Sequence, residues 1–262
     1  DQDMRNMGGL RKYMPITWLT MWAGSMALVA VPFFSGFYSK DAIIEAVGLS
    51  HRWGANYAYF CVMAGALVTG LYTFRQMYLT FHGKERFVVD EHHDDAHHDN
   101  HGDDHGHHEP GHLAHAPHES PLVVTLPLIL LAIPSVVIAW FFVKPMLLGG
   151  FFDGAIFVDP RHDPLGHFAE EFHGVVSFAL HGLQTAPFWF AFAGFALATY
   201  LYLFNPALPG RIYNALRPLA RILENKYGFD DLYQAVFARG SVLLGRGLWK
   251  GGDVAIIDGA LV

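Results

Sequence analysis

A lysine and an aspartate, Lys40 and Asp41, lie in the stretch GFYSKDAIIE at the end of a long apolar segment. A charge at membrane depth costs about 3 kcal/mol or more, so a lysine there must pair, contact water or release its proton. A buried lysine can exchange a proton near neutral pH, whereas arginine stays protonated. The pattern therefore predicts a proton relay at Lys40. An interfacial anchor, whose ammonium group reaches the membrane surface, fits the spacing equally well.

The segment that contains Lys40 is expected to be an interrupted helix. Pro32 removes a backbone donor and Gly36 permits non-helical geometry, so the helix that begins near Pro15 should break between them and Lys40. Ser39 can cap the second half, with Asp41 in its first turn, where negative charge suits the helix dipole. We expect residues 15–49 to form one discontinuous transmembrane helix with Lys40 at the break, as in helices that line hydrated cavities.

A second group of chemically active residues is the histidine-rich stretch 92–120, which has eleven histidines, seven acidic residues and no lysine or arginine. Such a composition cannot bury a core, so residues 82–120 should form a disordered loop. Imidazole and carboxylate groups bind zinc, nickel or copper, which makes metal collection one interpretation. The irregular spacing favours a low-complexity insertion with weak, non-specific metal affinity. The weak metal candidates are His92, His93, His97, His98, His107 and His108.

Four apolar segments are long enough to cross a bilayer, which takes about 20 residues. They cover residues 15–49, 55–81, 121–143 and 186–204, in a chain that is 52% hydrophobic and only 16% charged. The expected fold is an all-α, polytopic membrane protein with about four transmembrane helices, the first of them discontinuous. Cys61 is the single cysteine, which excludes disulfides within the chain. A basic surface for nucleic acid is not indicated.

Clusters of lysine and arginine give the orientation of these spans. With four crossings, the basic residues of segments 1–14, 82–120 and 207–262 all fall on one side. The positive-inside rule places that side in the cytoplasm or its topological equivalent, and segment 144–185 on the other side. The chain begins without an initiator methionine, and we expect it to be a segment of a longer polypeptide.

Two further segments show helical periodicity. Residues 165–184 alternate polar and apolar positions and predict an amphipathic helix at the interface. Beyond residue 207, apolar residues recur at intervals of mostly three and four, which predicts the start of a long amphipathic helix along the cytoplasmic face. Asp230 and Asp231 belong to its polar positions.

Several motifs in this order resemble the antiporter-like L subunits of NADH–quinone oxidoreductase, the respiratory complex I. GFYSKDAIIE is similar to the broken helix of that family, and MRNMGGLRKYMP to the stretch before it. YTFRQMYLTFHG and HESPLVVTLPLILLAIPS resemble the two helices that follow, and KYGFDDLYQAVF resembles the start of the family's lateral helix. The resemblance covers nearly the whole chain.

The resemblance implies roles for individual residues. Lys40 would belong to the family's membrane-depth chain of proton-carrying residues, with Asp41 as its acidic neighbour. Arg75 would match a basic position of unassigned role. Asp230 and Asp231 would match the acidic start of a lateral helix that clamps neighbouring antiporter-like subunits. The histidine-rich loop departs from the minimal family pattern.

The resemblance also implies partners and cofactors. The partners would be other membrane subunits of the complex, the lipid bilayer and protons, in a bacterial inner membrane or its mitochondrial equivalent. This chain is expected to hold no cofactor and no redox site, whereas NADH, FMN, iron–sulfur clusters and quinone would be bound by other subunits. Two alternatives remain: a subunit of a related Na+/H+ antiporter and, more distantly, a metal permease with a histidine-rich loop.

Overall fold

The structure is a computed structural model that describes residues 3–89, 112–113, 116–152, 154–157, 166, 169 and 172–259. All six weak metal candidates of the histidine-rich stretch lie outside these residues. The chain divides into two units, Asp1–Pro206 and Ala207–Val262. The described residues are predominantly helical, as the apolar segments predict.

The first unit contains six α-helices among its described residues. They are α1 (Pro15–Val29), α2 (Ser35–Gly48), α3 (Ala55–Phe81), α4 (Leu122–Val143), α5 (Val175–Gly182) and α6 (Ala186–Thr199). Helices α4 and α6 continue as π-helical turns, Lys144–Leu148 and Tyr200–Phe204. Short 3₁₀ turns occur at Met4–Asn6, Leu10–Lys12 and Gly150–Phe152, and two-residue strands β1 (Val88–Val89) and β2 (His112–Leu113) pair in parallel.

Three described segments are long and apolar enough to span a bilayer: Ala55–Phe81, Leu122–Leu148 and Ala186–Phe204. The first predicted span is different, because it is divided into α1, with 15 residues, and α2, with 14. Each is shorter than the roughly 20 residues that a crossing needs. Residues 15–49 are thus two short helices joined by a five-residue connection.

Helices α3 and α6 run parallel and form the closest helix pair of this unit. A Cβ atom on Gly70 would lie 2.5 Å from the carbonyl oxygen of Ala191, and one on Gly194 would lie 2.2 Å from that of Leu67. Small residues at such positions let two helix backbones approach within a membrane. One turn further along, the ring of Phe74 packs edge-on against Phe195 at 4.6 Å between centroids.

The basic segments that precede α1 and follow α3 contact each other near the start of α1. Lys12 forms an ion pair of 3.0 Å with Glu85, and Arg86 donates to the backbone carbonyls of Met4 and Arg5. The residues that precede α1 and those that follow α3 therefore lie on one side, as the positive-inside argument requires.

A carboxylate at the end of the histidine-rich stretch, Glu119, caps the first turn of α1. Oε2 of Glu119 accepts from the backbone N–H of Ile16 at 2.7 Å and of Thr17 at 3.4 Å, and Oε1 accepts from the Thr17 hydroxyl at 2.6 Å. Pro15 has no N–H and Met14 offers no side-chain cap, so Glu119 takes the place of the usual N-cap residue. Both ends of the 82–120 loop are thereby held at the start of α1.

Helix α5 occupies part of the segment that was predicted to be an interfacial amphipathic helix. Its Phe178 and Ala179 are buried against Phe37 and Tyr38 of α2. A Cβ on Gly182 would meet the Phe37 ring at 2.1 Å, so α5 needs glycine at this contact. Phe178, Ala179 and Gly182 of α5 are therefore buried in the protein, whereas Val176 and Leu180 are exposed.

The second unit is a series of helices: α7 (Leu208–Ala215), α8 (Arg217–Glu224), a 3₁₀ turn (Lys226–Gly228), α9 (Phe229–Tyr233) and α10 (Arg239–Leu248). π-helical segments Gln234–Ala238 and Trp249–Asp258 follow α9 and α10, so helical conformation continues without a gap from Phe229 to Asp258. Positive φ angles at Lys226, Tyr227 and Gly228 turn the chain just before it. The segment that was predicted to form one long amphipathic helix from residue 207 thus contains a turn before Phe229, and its position along the cytoplasmic face stays a prediction.

Candidate functional site

The break between α1 and α2 is built by residues 30–34. Helix α1 ends at Val29, and Ala30 adopts a left-handed conformation with φ of 63°. The N–H groups of Ala30 and Val31 bond to the carbonyls of Ala27 and Met26, at 3.2 and 3.0 Å, which satisfies two carbonyls of the last turn.

The break leaves the carbonyl of Leu28 without a backbone hydrogen-bond donor. In a continuous helix its donor would be the N–H group of residue 32. Residue 32 is proline, which has no N–H. Leu28 therefore presents a backbone oxygen without its helical donor, at the negative end of the α1 dipole.

The ammonium group of Lys40 replaces the missing backbone donor, since its Nζ donates a hydrogen bond to the Leu28 carbonyl oxygen. A positive charge at the C-terminal end of a helix is favourable both as a donor and as a partner of the dipole. The lysine of one half-helix thus caps the other.

The predicted position of Lys40 at the break itself is wrong. Helix α2 begins at Ser35, with Phe34 as its N-cap residue, so Lys40 is the sixth residue of α2. Ser39 is not the cap; its hydroxyl donates to the carbonyl of Gly36. Asp41 is likewise beyond the first turn. Helix α2 begins earlier than predicted because Gly36 has no side chain that would clash with α1, so the chain can be helical at this contact.

Gly36 brings the two half-helices close together. A Cβ atom at this position would lie only 1.8 Å from the carbonyl oxygen of Ala27, so any side chain here would push α2 away from α1. This close approach places Lys40, about one turn further along α2, within reach of Leu28.

Asp41, the neighbour of Lys40 on α2, is only 5% exposed. His181 in the last turn of α5 and Thr185 just before α6 are close enough to interact with its carboxylate, as is Glu45 one turn along α2. The acidic neighbour of Lys40 therefore links α2 to the segment that precedes the last span of this unit.

Lys40 and Asp41 line one cavity of about 380 Å³. Most of its wall is apolar, with Phe37 and Ile44 from α2 and Pro187 and Phe188 from α6. Thr69 of α3 adds a hydroxyl group, and Leu28 closes the side that belongs to α1. The cavity brings a cation, a carboxylate and a hydroxyl together among apolar side chains, which is an arrangement suited to holding and moving a proton.

The remaining predicted site residues lie elsewhere. Arg75 is on the exposed side of α3, with its guanidinium carbon 5.8 Å from the centre of the Tyr202 ring. Asp230 and Asp231 occupy the first turn of α9, where their charge suits the helix dipole, and Asp230 pairs with Lys226. These two aspartates belong to the second unit.

Sequence reasoning missed three partners of the site. The Leu28 carbonyl could have been found, because a proline four residues after any helical residue removes that residue's backbone donor. His181 and Thr185 carried no such signal, since they lie about 140 residues from Asp41 in a segment with an ordinary amphipathic pattern.

Comparisons with known proteins agree with this architecture. Residues 1–70 match the family described as NADH:quinone oxidoreductase/Mrp antiporter, TM. Subunit L of NADH-quinone oxidoreductase from Neisseria meningitidis serogroup A is 50% identical over 264 residues, which is 100% of this chain and 38% of that protein. Subunit L from Rhodobacter capsulatus is 32% identical, over 100% of this chain and 42% of that protein. Chain 5 of the NAD(P)H-quinone oxidoreductase from Picosynechococcus is 36% identical, over 99% of this chain and 37% of that protein.

Three helices are long and apolar enough to cross a membrane, and residues 1–70 make the chain similar to the antiporter-like NADH:quinone oxidoreductase/Mrp antiporter family. Along its whole length the chain is homologous to subunit L of NADH-quinone oxidoreductase. It spans about 38% of the length of the Neisseria relatives it matches.

Proposed function

We propose that this chain is part of a proton-translocating membrane subunit of NADH–quinone oxidoreductase and that Lys40 is its proton relay. The relatives that match the chain along its whole length are named as subunits of quinone oxidoreductases, which supports this assignment over the related antiporters. The single observation that carries the role of Lys40 is its position: its ammonium group caps the Leu28 carbonyl at a helix break and lines a cavity that also holds Asp41.

The proposed relay depends on the charge of Lys40. When Lys40 is protonated, its positive charge is stabilised by the negative end of the α1 dipole. When it releases the proton, the amine can still donate to Leu28, but the charge–dipole attraction is lost. Proton occupancy and the arrangement of α1 against α2 are therefore coupled, and Asp41 offers a carboxylate to a proton in the same cavity.

Energy for translocation would come from redox chemistry in other subunits. NADH, FMN, iron–sulfur clusters and quinone would be bound there, and this chain would contribute to proton movement. Its direct partners would be adjacent antiporter-like subunits, which the helix with Asp230 and Asp231 in its first turn would contact. The membrane would be a bacterial inner membrane or the inner membrane of mitochondria.

Replacement of Lys40 in the full-length subunit tests this proposal. Lys40→Met keeps the length of the side chain and removes the proton-binding group, so the complex should assemble and pump fewer protons for each NADH oxidised. Lys144→Met is a matched control, because Lys144 is exposed at the end of α4 and outside the cavity. Proton uptake into inverted membrane vesicles, followed with a pH-sensitive dye, measures the difference.

The outcomes separate the proposed function from its alternatives. Loss of pumping in Lys40→Met with normal pumping in Lys144→Met supports the relay. Equal pumping in both variants contradicts it. NADH-independent exchange of Na+ for protons by the wild-type assembly would point instead to an antiporter.

A further inference from the structure

The first two helices of the second unit, α7 and α8, carry a continuous apolar stripe. Leu216 joins them and keeps the helical hydrogen-bond pattern, because its N–H donates to the Ile212 carbonyl and its own carbonyl accepts from Ala220, both at 2.9 Å. Intervals of three and four place residues on one face of a helix. The apolar residues that recur at intervals of four, four, three and four, and so form the stripe, are Leu208, Ile212, Leu216, Leu219 and Leu223.

Most of this stripe is uncovered in the part of the chain that the structure describes. Leu219 is 52% exposed, and Ile212, Leu216 and Leu223 are exposed to a similar degree. The two helices are nevertheless tied together, since the Tyr213 hydroxyl donates to Oε1 of Glu224 at 2.9 Å. An exposed apolar surface with polar residues beside it marks a site that contacts a membrane or another protein.

The polar side of the two helices is positively charged. The charged residues of segment 208–224 are three arginines, Arg211, Arg217 and Arg221, and one acid, Glu224, whose carboxylate accepts from Tyr213. Arg217 and Arg221 lie one turn apart, on the side of α8 opposite Leu219. Among the described residues none of the three arginines forms an ion pair. Their guanidinium groups are therefore free for an anionic partner, and phosphate groups match their geometry.

The chain enters α7 directly from the end of a candidate membrane span. Segment Ala186–Phe204 is long and apolar enough to cross a bilayer, and its last turn contains Tyr202, whose ring lies against the guanidinium of Arg75. Tyrosine concentrates at the level of the lipid headgroups, which marks the end of this span as interfacial. Leu208 follows Phe204 by four residues, and four residues of chain reach at most about 14 Å. The start of α7 is therefore within reach of the headgroups.

We propose that α7 and α8 lie in the surface of the bilayer and bind anionic phospholipid. The apolar stripe would enter the boundary of the acyl chains, and the arginines would stay among the phosphate groups, because a helix is only about 10 Å across. The short chain from the end of a span and the excess of arginine over acid favour lipid over a second protein as the partner. The inference concerns lipid binding and does not depend on the role of Lys40.

Photo-crosslinking in a defined bilayer tests the proposal. The full-length subunit receives the photoreactive residue benzoylphenylalanine in place of the exposed Leu219, and the assembled complex is placed in nanodiscs of phosphatidylcholine with phosphatidylglycerol as the minor lipid. Both lipids have the same acyl chains. Illumination should attach lipid to the subunit, and mass spectrometry identifies the lipid. We expect phosphatidylglycerol to be enriched several-fold among the adducts over its share of the disc, because basic residues near the surface attract anionic lipid.

Two pairs of charge-removing substitutions show whether the arginines of α8 select the lipid. Arg217→Gln with Arg221→Gln should at least halve the enrichment, while lipid adducts still form because the stripe is unchanged. Arg239→Gln with Arg246→Gln removes the same charge from α10 of the same unit and should leave the enrichment as it is. If the complex does not assemble with the photoreactive residue at Leu219, the same residue in place of Leu223, on the same stripe, serves instead.

The contrary results are equally specific. Crosslinks to another subunit in place of lipid would assign the stripe to a protein partner and overturn the proposal. Lipid adducts that merely follow the composition of the disc would contradict a preference for anionic lipid. An equal fall in enrichment with both pairs of substitutions would trace the preference to the net charge of the unit and not to α8. The absence of any adduct at both Leu219 and Leu223 would place the stripe outside the bilayer.

Discussion

Lys40 and Leu28 are joined across a helix break: the side-chain ammonium of the one donates to the backbone carbonyl of the other. The contact exists because Pro32 deprives Leu28 of its helical donor and because Gly36 lets α2 lie directly against α1. A proton-binding side chain is therefore tied to the geometry of two half-helices, and changes to that geometry should alter proton movement.

Pro32 can be tested separately from Lys40. Pro32→Ala supplies an N–H group that can bond to Leu28 if α1 extends by one turn, which would compete with Lys40 for the same carbonyl. We expect proton translocation to fall while assembly is kept. Pro134→Ala, at a proline inside α4, is the control and should pump normally. Wild-type proton translocation by Pro32→Ala would show that proton movement does not depend on the Lys40–Leu28 contact.

The sequence alone could predict the apolar segments, the basic side and a break between Pro15 and Lys40, because hydropathy, charge and proline act locally. It could not predict the position of the break relative to Lys40. That depends on Gly36 fitting against the Ala27 carbonyl, which is a contact between two helices. The neighbours of Asp41 were equally out of reach, since His181 lies far along the chain. The capping role of Glu119 also arises from folding, because it joins residues about 100 positions apart.

The α3–α6 contact should be sensitive to added volume. Gly194→Leu would force a side chain against the Leu67 carbonyl and separate the two helices, at a cost of roughly 1–3 kcal/mol. Gly24→Ala is the matched control, because a Cβ there meets no atom within 4 Å. Thermal unfolding of the purified complex should show a lower midpoint for Gly194→Leu only. An unchanged midpoint would mean that this close approach is absent in the assembled protein.

Glu119 should contribute a pH-dependent cap to α1. Desolvation raises its pKa, but hydrogen bonds from Thr17, Ile16 and Ser120 outweigh this effect, so the net pKa is lowered. A lowered pKa in the folded state means that the stabilisation is present above about pH 4.3, the unfolded value, and is lost as the pH falls through the folded value. Glu119→Gln should therefore cost about 1 kcal/mol at neutral pH, and the difference from wild type should shrink in acid.

Glu85→Gln is the control for this measurement, because it removes a surface ion pair with Lys12 at the same end of α1. Exposed pairs contribute only about 0–1 kcal/mol, so the control should change stability less than Glu119→Gln does. Thermal unfolding as a function of pH gives both values. Identical curves for Glu119→Gln and wild type would rule out the cap.

The histidine-rich stretch should be dispensable for proton translocation. Deletion of residues 92–118 leaves both Glu85 and Glu119, whose contacts hold the two ends of the loop at the start of α1. We expect the shortened subunit to assemble and to pump at the wild-type rate in inverted vesicles. If the deletion instead abolished growth under metal limitation, the metal-collecting interpretation of this stretch would be favoured.

The central claim is that Lys40 must release a proton, and Lys40→Arg tests it most directly. Arginine keeps the positive charge and a donor for the Leu28 carbonyl, but it stays protonated. The measurement is the number of protons translocated per NADH oxidised by the assembled complex in sealed vesicles, with the wild type beside it. The relay predicts a number for Lys40→Arg well below the wild-type value. A number equal to that of the wild type would contradict it, because a permanent charge would then do all that Lys40 does.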